Sequence, residues 1–233
     1  RDQVEEAGAK VVVFSANDVK SVEKNIETAG QILNLNEKAQ ELTESMTAEL
    51  EELKDVIAEG GAEKSAFIDL GSYYSAGTGS LLGNMLNDLS VRNIAEDTGE
   101  TWPQLSLEKI IESDPDIYIS LFTSPEELKQ TSGLNDLECI KNGNIIYFEG
   151  LSPEADMIQR AGPRTVEGTK LSADKIYPEL FPRQVFDYIR GKRYEDHTEK
   201  TGNRLGGPSC CDSHLYLLSD RGRPHSFRGS QHD

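Results

Sequence analysis

The sequence predicts an α/β protein with a mainly parallel sheet, and three observations support this fold class. Short runs rich in Val, Ile, Tyr and Phe alternate along the chain with segments whose apolar residues recur every three or four positions. The strand-like runs are continuously apolar, which is typical of strands buried on both faces. With 233 residues, the chain is also long enough to bury a sizeable core.

The first predicted elements are a strand and a helix. The run KVVVF at residues 10–14 is β-branched, so we expect a buried parallel strand there. Asn17 or Asp18 is the expected N-cap of the next helix, because its side-chain oxygen can accept a hydrogen bond from a free backbone N–H. The buried face of that helix is predicted to comprise Val22, Ile26, Ala29, Ile32 and Leu33.

The strongest helical pattern covers residues 37–59. At about 1.5 Å per residue, this helix would be roughly 35 Å long. The glycine pair Gly60-Gly61 is expected to end it. The predicted apolar face comprises Ala39, Leu42, Met46, Leu50 (or Glu49), Leu53 and Ile57. A helix of this length is suited to join two strand-bearing regions as a rigid connection.

The rest of the body alternates strands with helices, which predicts a parallel sheet with helical crossovers. The predicted strands are residues 65–70, 116–122 and 145–148. The predicted helices run from Leu81 through Leu89, from the cap Ser106 to the residue before Asp114, from the cap Ser124 onwards, and over residues 163–176.

The charge excludes some classes of partner. The chain carries 41 acidic and 24 basic side chains, for a formal net charge of −17. Such a field repels phosphate, so nucleic acid and anionic membrane surfaces are not expected partners. No run of about 18 apolar residues occurs, so no transmembrane helix is predicted.

Histidine and cysteine are concentrated near the C-terminus. All four His (His197, His214, His225, His232) and two of the three Cys follow residue 190. A Ser-His-Asp or Cys-His catalytic site, or a His-based metal site, is therefore excluded from residues 1–190. Cys139 is expected to be an ordinary buried thiol. Residues 191–233 are predicted to be a disordered or foreign tail, and a start without Met suggests a fragment or a processed product.

A glycine-rich loop at residues 77–83 suggests phosphate binding as one alternative. In a dinucleotide-binding fold, however, the first Gly should come directly after the strand. Here five residues, two of them Tyr, intervene before Gly77, and Asp97 follows no clear strand. Glycines that cap a helix and permit close backbone approach are the favoured interpretation.

Two aromatic segments follow predicted strand ends, where open α/β sheets place ligands. They are Tyr73-Tyr74 and Trp102-Pro103. Glu108 is expected in the first turn of a helix, where a carboxylate is favoured with or without a partner. Arg160 could meet an anionic ligand or simply pair with carboxylates of the body. On their own, the aromatic residues favour partial burial in the core over a ligand site.

Several motifs occur in a fixed order along the chain. They are GTGSLL (residues 77–82), NIA (93–95), WPQLSLEKI (102–110), DPD (114–116), RAGPR (160–164) and YPELF (177–181). Together with the long helix, they closely resemble the helical-backbone (class III) periplasmic binding proteins. Members of this family are the substrate-binding components of ABC importers for vitamin B12, ferric siderophores and haem. The resemblance runs from about residue 4 to residue 181.

The resemblance implies two parallel-sheet α/β lobes joined by one long helix, with the ligand between the lobes. Residues 1–35 would be the remnant of a mostly missing N-terminal lobe, and residues 36–60 the linking helix. Residues 61–190 would form the C-terminal lobe, and residues 191–233 match nothing in the family.

The resemblance also implies roles for individual residues. Tyr74 and Trp102 match aromatic pocket positions of the cobalamin-binding pattern, and Arg160 matches a cleft Arg. Glu108 matches the carboxylate that docks to the permease. The candidate ligand-binding residues are Tyr73, Tyr74, Thr78, Trp102 and Arg160.

The protein is therefore expected to act outside the cytoplasm and not to be an enzyme. The protein would carry a corrinoid or a ferric siderophore to ABC permease subunits, with a small preference for the corrinoid. It would have no cofactor and no resident metal, and it would be monomeric at full length. Two alternatives remain: a nucleotide-binding α/β enzyme domain that uses the loop at residues 77–83, and a plain interaction domain with an acidic surface.

Overall fold

The structure, a computed structural model, describes residues 2–181 of the chain. These residues fall within one compact unit, Arg1–Ile189. The tail predicted for residues 191–233 lies outside the described residues.

Nine α-helices and four β-strands occur within the described residues. The helices are α1 (Asp2–Glu6), α2 (Val19–Leu33), α3 (Asn36–Gly60), α4 (Leu81–Asp88), α5 (Leu107–Ser113), α6 (Pro125–Gln130), α7 (Glu138–Asn142), α8 (Pro153–Gln159) and α9 (Thr165–Ile176). The strands are β1 (Lys64–Asp69), β2 (Val91–Asn93), β3 (Ile117–Ser120) and β4 (Ile145–Tyr147). Two 3₁₀ segments, Ile94–Thr98 and Leu134–Asp136, complete the regular structure.

The four strands form one sheet in the order β2-β1-β3-β4, and all three pairings are parallel. The sequence prediction of a parallel sheet is therefore confirmed. Alternate residues of the central strands face opposite layers of helices. Ile68 and Ile119 pack in a cluster with residues of α3, α4 and α9. Phe67 and Tyr118 pack in a second cluster with residues of α5, α6 and α7. The sheet is thus covered by helices on both faces, as continuously apolar strands require.

The long helix α3 confirms the prediction for residues 37–59 to within one residue at each end. Its buried positions are Ala39, Thr43, Met46, Leu50, Leu53 and Ile57, a regular alternation of four- and three-residue steps. The prediction of Leu42 on this face was wrong. The helical period places Thr43 in the buried row, and Leu42 is exposed.

The predicted strand at residues 10–14 does not form. The segment has no regular secondary structure and lies outside the four-stranded sheet, and Val12, Val13 and Phe14 are exposed. A strand is stable only when its N–H and C=O groups pair with a neighbour, and within residues 2–181 no strand pairs with this segment. The prediction that Ile32 and Leu33 are buried was also wrong, because both lie exposed at the end of α2.

Candidate ligand site at the carboxyl edge of the sheet

All strands of a parallel sheet end at the same edge, so the segments that follow them share one side of the molecule. Here these segments are residues 70–80 after β1, 94–106 after β2, 121–124 after β3 and 148–152 after β4. The predicted aromatic residues lie in the first two of these segments. This edge is therefore the candidate ligand site.

The turn after β1 is built from three consecutive residues with left-handed backbone. Gly71, Ser72 and Tyr73 have φ values of 99°, 53° and 63°. Glycine adopts such angles freely, whereas Ser and Tyr do so at a cost of order 1 kcal/mol each. Two hydrogen bonds close the turn, from the Tyr74 N–H to the Gly71 carbonyl at 3.0 Å and from the Leu70 N–H to the Tyr74 carbonyl at 2.8 Å. The turn reverses the chain directly before Tyr74.

Tyr74 and Trp102 lie on two segments that pair antiparallel. Tyr74 stands opposite Gln104 in this pairing. The Ser75 N–H donates to the Pro103 carbonyl at 2.8 Å, and the Gly77 N–H donates to the Thr101 carbonyl at 2.9 Å.

This register places Tyr74 and Trp102 on the same face of the paired segments, at diagonal positions roughly 7–8 Å apart. Tyr74 is 50% exposed and Trp102 is 58% exposed. The residues between these positions, Ser75 and Pro103, are buried on the other face. The pairing thus turns two distant sequence motifs into one exposed aromatic surface.

Asp69, at the end of β1, stabilises the left-handed turn by a hydrogen bond to its first residue. Its buried carboxylate accepts a hydrogen bond from the Tyr118 hydroxyl at 2.8 Å and another from the Gly71 N–H at 2.8 Å. Burial, together with the charge of Asp69, raises the pKa of Tyr118 well above its usual range, so its hydroxyl stays protonated as a donor. The carboxylate thereby fixes the first residue of the turn that presents Tyr74.

The other two candidate residues on the β1–α4 loop have different surroundings. Tyr73 is half-buried and packs against the cluster that contains Phe67. It also lines a cavity of about 490 Å³ behind the turn, together with Asp69, Gln104 and Leu128. Thr78 is exposed at the tip of the loop. Tyr73 is therefore more buried than the adjacent Tyr74, which is half-exposed.

The glycine-rich loop packs against its own chain. A methyl group on Gly77 would lie 2.1 Å from the Glu100 carbonyl oxygen, and one on Gly83 would lie 2.3 Å from the Gly77 carbonyl oxygen. The Ser80 hydroxyl donates to the Gly77 carbonyl at 2.7 Å and accepts from the Gly83 N–H at 3.0 Å, which caps α4. Close packing and capping account for the glycines, as the sequence interpretation favoured.

Glu108 lies exposed in the first turn of α5, whose N-cap is Ser106. Hydrogen bonds from its own backbone N–H and from the Ser106 hydroxyl lower the pKa of Glu108. The carboxylate is therefore ionised at neutral pH. It is exposed to solvent in the first turn of α5, six residues after Trp102.

Arg160 lies at the C-terminal end of α8, about one helix length from the loop that follows β4. Its side chain is exposed, and its Nε contacts Asp156 Oδ1 at 2.9 Å. The structure therefore does not place Arg160 on the paired segments that carry Tyr74 and Trp102.

Two apolar residues of this edge were missed by the sequence analysis. Phe122 follows β3 and is 57% exposed, and Leu151 follows β4 and is 96% exposed. Phe122 was interpreted as the end of a buried strand, but β3 ends at Ser120. Phe122 is the second residue after β3 and Leu151 the fourth after β4, and no local sequence signal separates them from the buried Leu121 and Phe148.

No cluster of three His, Cys, Asp or Glu side chains suited to a metal ion occurs among residues 2–181. Cys139 is buried, and burial raises the pKa of its thiol to about 11. In the same described part of the chain, no helix is long and apolar enough to cross a bilayer.

Comparison with known proteins gives consistent matches. Residues 1–150 match the family model described as periplasmic binding protein. The chain is 28% identical over 189 residues to YvrC of Bacillus subtilis, an uncharacterized ABC transporter substrate-binding lipoprotein. That match covers 77% of this chain and 57% of YvrC. The chain is also 25% identical over 171 residues to the vitamin B12-binding protein of Salmonella typhi. This second match covers 72% of the chain and 61% of that protein.

Solved structures show the same fold. A possible iron-binding, periplasmic solute-binding protein from Staphylococcus epidermidis superposes with a TM-score of 0.67 at 26% identity, over 76% of this chain and 69% of that one. The haem-binding protein RhuT from Roseiflexus superposes with a TM-score of 0.67 at 18% identity, over 77% and 71% of the two chains. The described residues thus share their architecture with solute-binding proteins, while the matches span about 57–61% of the length of the curated relatives above.

Proposed function

Because this chain belongs to the periplasmic binding protein family, we propose that it is the extracytoplasmic solute-binding component of an ABC importer. It binds a metal chelate at the carboxyl edge of the sheet and delivers it to the permease. The protein has no catalytic role and acts as a monomer at full length.

The observation that carries this proposal is the shared face of Tyr74 and Trp102. Two half-exposed aromatic rings, held by paired backbone segments, form a rigid apolar surface open to solvent. Such a surface suits a large, flat and partly apolar ligand, since ligand sites combine aromatic walls with a few polar groups. Tyr73, Thr78 and Arg160 remain proposed contacts for other parts of the ligand.

The proposed cargo is a corrinoid, with a ferric siderophore as the second candidate. Relatives named vitamin B12-binding protein and cobalamin-binding protein support the corrinoid, and the solved protein from Staphylococcus epidermidis, titled possible iron-binding, supports the siderophore. All four His of the chain follow residue 190, so residues 2–181 offer no imidazole to a bare metal ion. A cargo whose metal is already chelated fits this composition.

The proposed role of Glu108 is to dock on the permease. A solvent-facing carboxylate with a lowered pKa stays ionised, and it can form a charge-assisted contact with a cationic side chain of a partner. Its position on a capped helix keeps the charge in a fixed place.

The cargo assignment can be tested with Trp102, the only tryptophan of the chain. We expect saturable quenching of its fluorescence on titration with cyanocobalamin, after correction for absorbance. Tyr74→Ala should weaken binding about tenfold, since burying an aromatic ring contributes on the order of 1.5–3 kcal/mol. Leu33→Ala, an exposed apolar residue at the end of α2, is the control. No saturable quenching by cyanocobalamin or a ferric hydroxamate would contradict the proposed function.

The docking role needs a separate experiment. Glu108→Gln should impair uptake by the cognate transporter and leave cargo affinity unchanged. Glu112→Gln is a matched control, because Glu112 is an exposed carboxylate on the same helix. A loss of cargo affinity in Glu108→Gln, or equal uptake defects in both variants, would contradict the docking role.

The nucleotide-binding alternative predicts binding of a nucleotide instead of a metal chelate. An α/β enzyme domain that used residues 77–83 would bind NADH or ATP saturably. We expect no binding of either nucleotide at millimolar concentration. The N–H groups of Gly77, Ser80 and Gly83, the donors that a phosphate would need, are already hydrogen-bonded within the protein.

A further inference from the structure

The apolar surface of the candidate site continues beyond Tyr74 and Trp102. Exposed Phe122 follows β3 and exposed Leu151 follows β4, and in the sheet order β3 lies next to β1 and β4 next to β3. Neighbouring strands are about 4.8 Å apart, so the strand ends from β1 to β4 span roughly 10 Å. Apolar side chains thus follow three adjacent strands at one edge.

Phe122 is held in place by the loops on both sides. A methyl group added to Gly71 would lie 3.8 Å from the nearest ring carbon of Phe122. A methyl group added to Gly150 would lie only 2.7 Å from the ring. The absence of a side chain at Gly150 therefore leaves space for the ring, while a methyl group on Gly71 would be in ordinary van der Waals contact with it. The Ser120 hydroxyl accepts from the Thr123 N–H at 3.0 Å and donates to the Thr123 carbonyl at 2.7 Å, which fixes the turn around Phe122.

Phe122 and Tyr74 are also linked through one turn. The Gly71 carbonyl accepts the Tyr74 N–H, while the Gly71 backbone packs near the Phe122 ring. Gly71 therefore lies next to both Tyr74 and Phe122.

The charged residues of the four segments that follow the strands are all acidic. The segments 70–80, 94–106, 121–124 and 148–152, all within the described residues, contain no Lys, Arg or His. Their charged residues are Glu96, Asp97, Glu100 and Glu149. Asp97 pairs with Arg92 of β2 at 3.1 Å, while Arg160, the cation predicted for the site, pairs with Asp156. The side chains that these four segments themselves supply are therefore neutral or acidic, in a chain whose net charge is −17.

On the basis of the proposed function, we infer that this edge selects a neutral or cationic chelate with an apolar face, and that Phe122 packs against that face. Chelates that carry several negative charges are disfavoured, because like charges repel across a partly desolvated site. The apolar row Trp102, Tyr74, Phe122 and Leu151 supplies the affinity, and the acidic loops supply the selection by charge.

The test uses the full 233-residue chain and three probes that differ in charge. They are neutral cyanocobalamin, the cationic ferric hydroxamate ferrioxamine B and the trianionic ferric complex of enterobactin. Dissociation constants are measured by equilibrium dialysis at 20 mM and 500 mM salt. We expect cyanocobalamin or ferrioxamine B to bind at least tenfold more tightly than the trianion at low salt. We expect this ratio to fall at high salt because screening weakens the repulsion.

Variants separate the two parts of the inference. Phe122→Ala should weaken binding of the preferred probe about tenfold, with Ile32→Ala as the control for an exposed apolar residue elsewhere. Glu149→Gln should strengthen binding of the trianion severalfold, and Glu51→Gln on α3 should not. Phe122 and Glu149 are both exposed, so the variants are expected to fold, and unfolding curves verify this.

Failure of the inference can be told apart from failure of the proposed function. If the chain binds the trianion as tightly as the neutral or cationic probe, the selection by charge is wrong and the binding function stands. If Phe122→Ala binds like the parent chain, the contact with Phe122 is wrong. If the parent chain binds none of the three probes, the proposed function and this inference are both overturned.

Discussion

At the residue scale, the site depends on a buried carboxylate. Asp69 accepts from the Tyr118 hydroxyl and from the Gly71 N–H, and Gly71 begins the left-handed turn that presents Tyr74. A buried charge is tolerated only when donors replace the water it has lost. The fully buried Tyr118 hydroxyl therefore supports the loop without belonging to its surface.

The Tyr118 hydroxyl is open to a direct stability test. Tyr118→Phe should lower the free energy of unfolding by about 1.5–3 kcal/mol, because it removes a hydrogen bond to a buried charged group. For a chain of this size, each kcal/mol of lost stability lowers Tm by about 2–4 °C. Urea unfolding followed by circular dichroism measures the change.

The matched control for this variant is Tyr177→Phe. The buried Tyr177 hydroxyl donates to the neutral Leu89 carbonyl at 3.0 Å, so its loss should cost only about 0.5–1.5 kcal/mol. Equal losses of stability in the two variants would show that the charge of Asp69 does not strengthen the bond to Tyr118.

At the element scale, side-chain caps begin the helices where the sequence predicts them. Ser106 caps α5, and Ser124 with Glu127 forms a capping box on α6. Asp18 and Ser21 form a capping box on α2, with the Ser21 N–H donating to Asp18 Oδ1 at 2.7 Å. Each cap satisfies backbone N–H groups that the helix itself leaves free, which is why these starts can be read locally.

The cap of α2 makes stability depend on pH. Hydrogen bonds from the Ser21 side chain and backbone lower the pKa of Asp18. Its contribution is therefore present above the unfolded-state pKa of about 3.9 and is lost as pH falls through the lower folded-state pKa. Asp18→Ala should cost about 1 kcal/mol at pH 7. Urea unfolding should show this cost shrinking below about pH 4.

The control for the cap variant is Asp55→Ala. Asp55 is an exposed residue within α3 and caps no helix, so we expect a change within about 0.5 kcal/mol at both pH values. A cost of Asp18→Ala that stays constant between pH 7 and pH 3 would contradict the role of the ionised carboxylate.

The glycine loop gives a second test at this scale. Gly77→Ala places a methyl group 2.1 Å from a backbone oxygen that cannot easily move, and it should cost about 1–3 kcal/mol or more. Gly162→Ala is the matched control, since a methyl group there meets nothing within 4 Å. Thermal unfolding measures both. Similar Tm values for the two variants would contradict the packing role of Gly77.

At the scale of the whole molecule, α3 is joined to the sheet domain by packing and by an ion pair. Its buried row contributes Met46, Leu50 and Leu53 to the cluster that covers one face of the sheet. Lys170 of α9 contacts Glu49 of α3 at 2.8 Å, and the two side chains are only 15% and 19% exposed. These contacts predict that α3 unfolds together with the sheet as one cooperative unit.

A double-mutant cycle on Glu49 and Lys170 tests this connection. With Glu49→Gln and Lys170→Met, we expect a coupling free energy of about 1–2 kcal/mol, because contacting and partly buried groups couple more strongly than exposed ones. The same cycle on the exposed pair Glu138 and Lys141 should give about 0.2–0.5 kcal/mol. Equal coupling in the two cycles would show that the ion pair adds nothing to the attachment of α3.

The candidate site was only partly predictable from the sequence. The position of Tyr74 after a strand end could be predicted, and strand ends and ligand sites coincide in parallel sheets. The strand before Trp102, β2, was not predicted. That the two rings share a face follows from backbone pairing between segments some thirty residues apart. The different environments of Tyr73 and Tyr74 follow from the left-handed turn, which no local propensity of Ser72 or Tyr73 indicates.

The sequence by itself determined the parallel α/β class, the extent of α3 and the starts of the capped helices. Each of these depends on periodicity or on side chains within a few residues of the element. Tertiary structure alone decided that residues 10–14 form no strand, that β3 stops at Ser120 and that Phe122 and Leu151 face solvent. The physical reason is that a strand and a binding surface exist only through partners distant in the chain, whereas a helix satisfies its own hydrogen bonds.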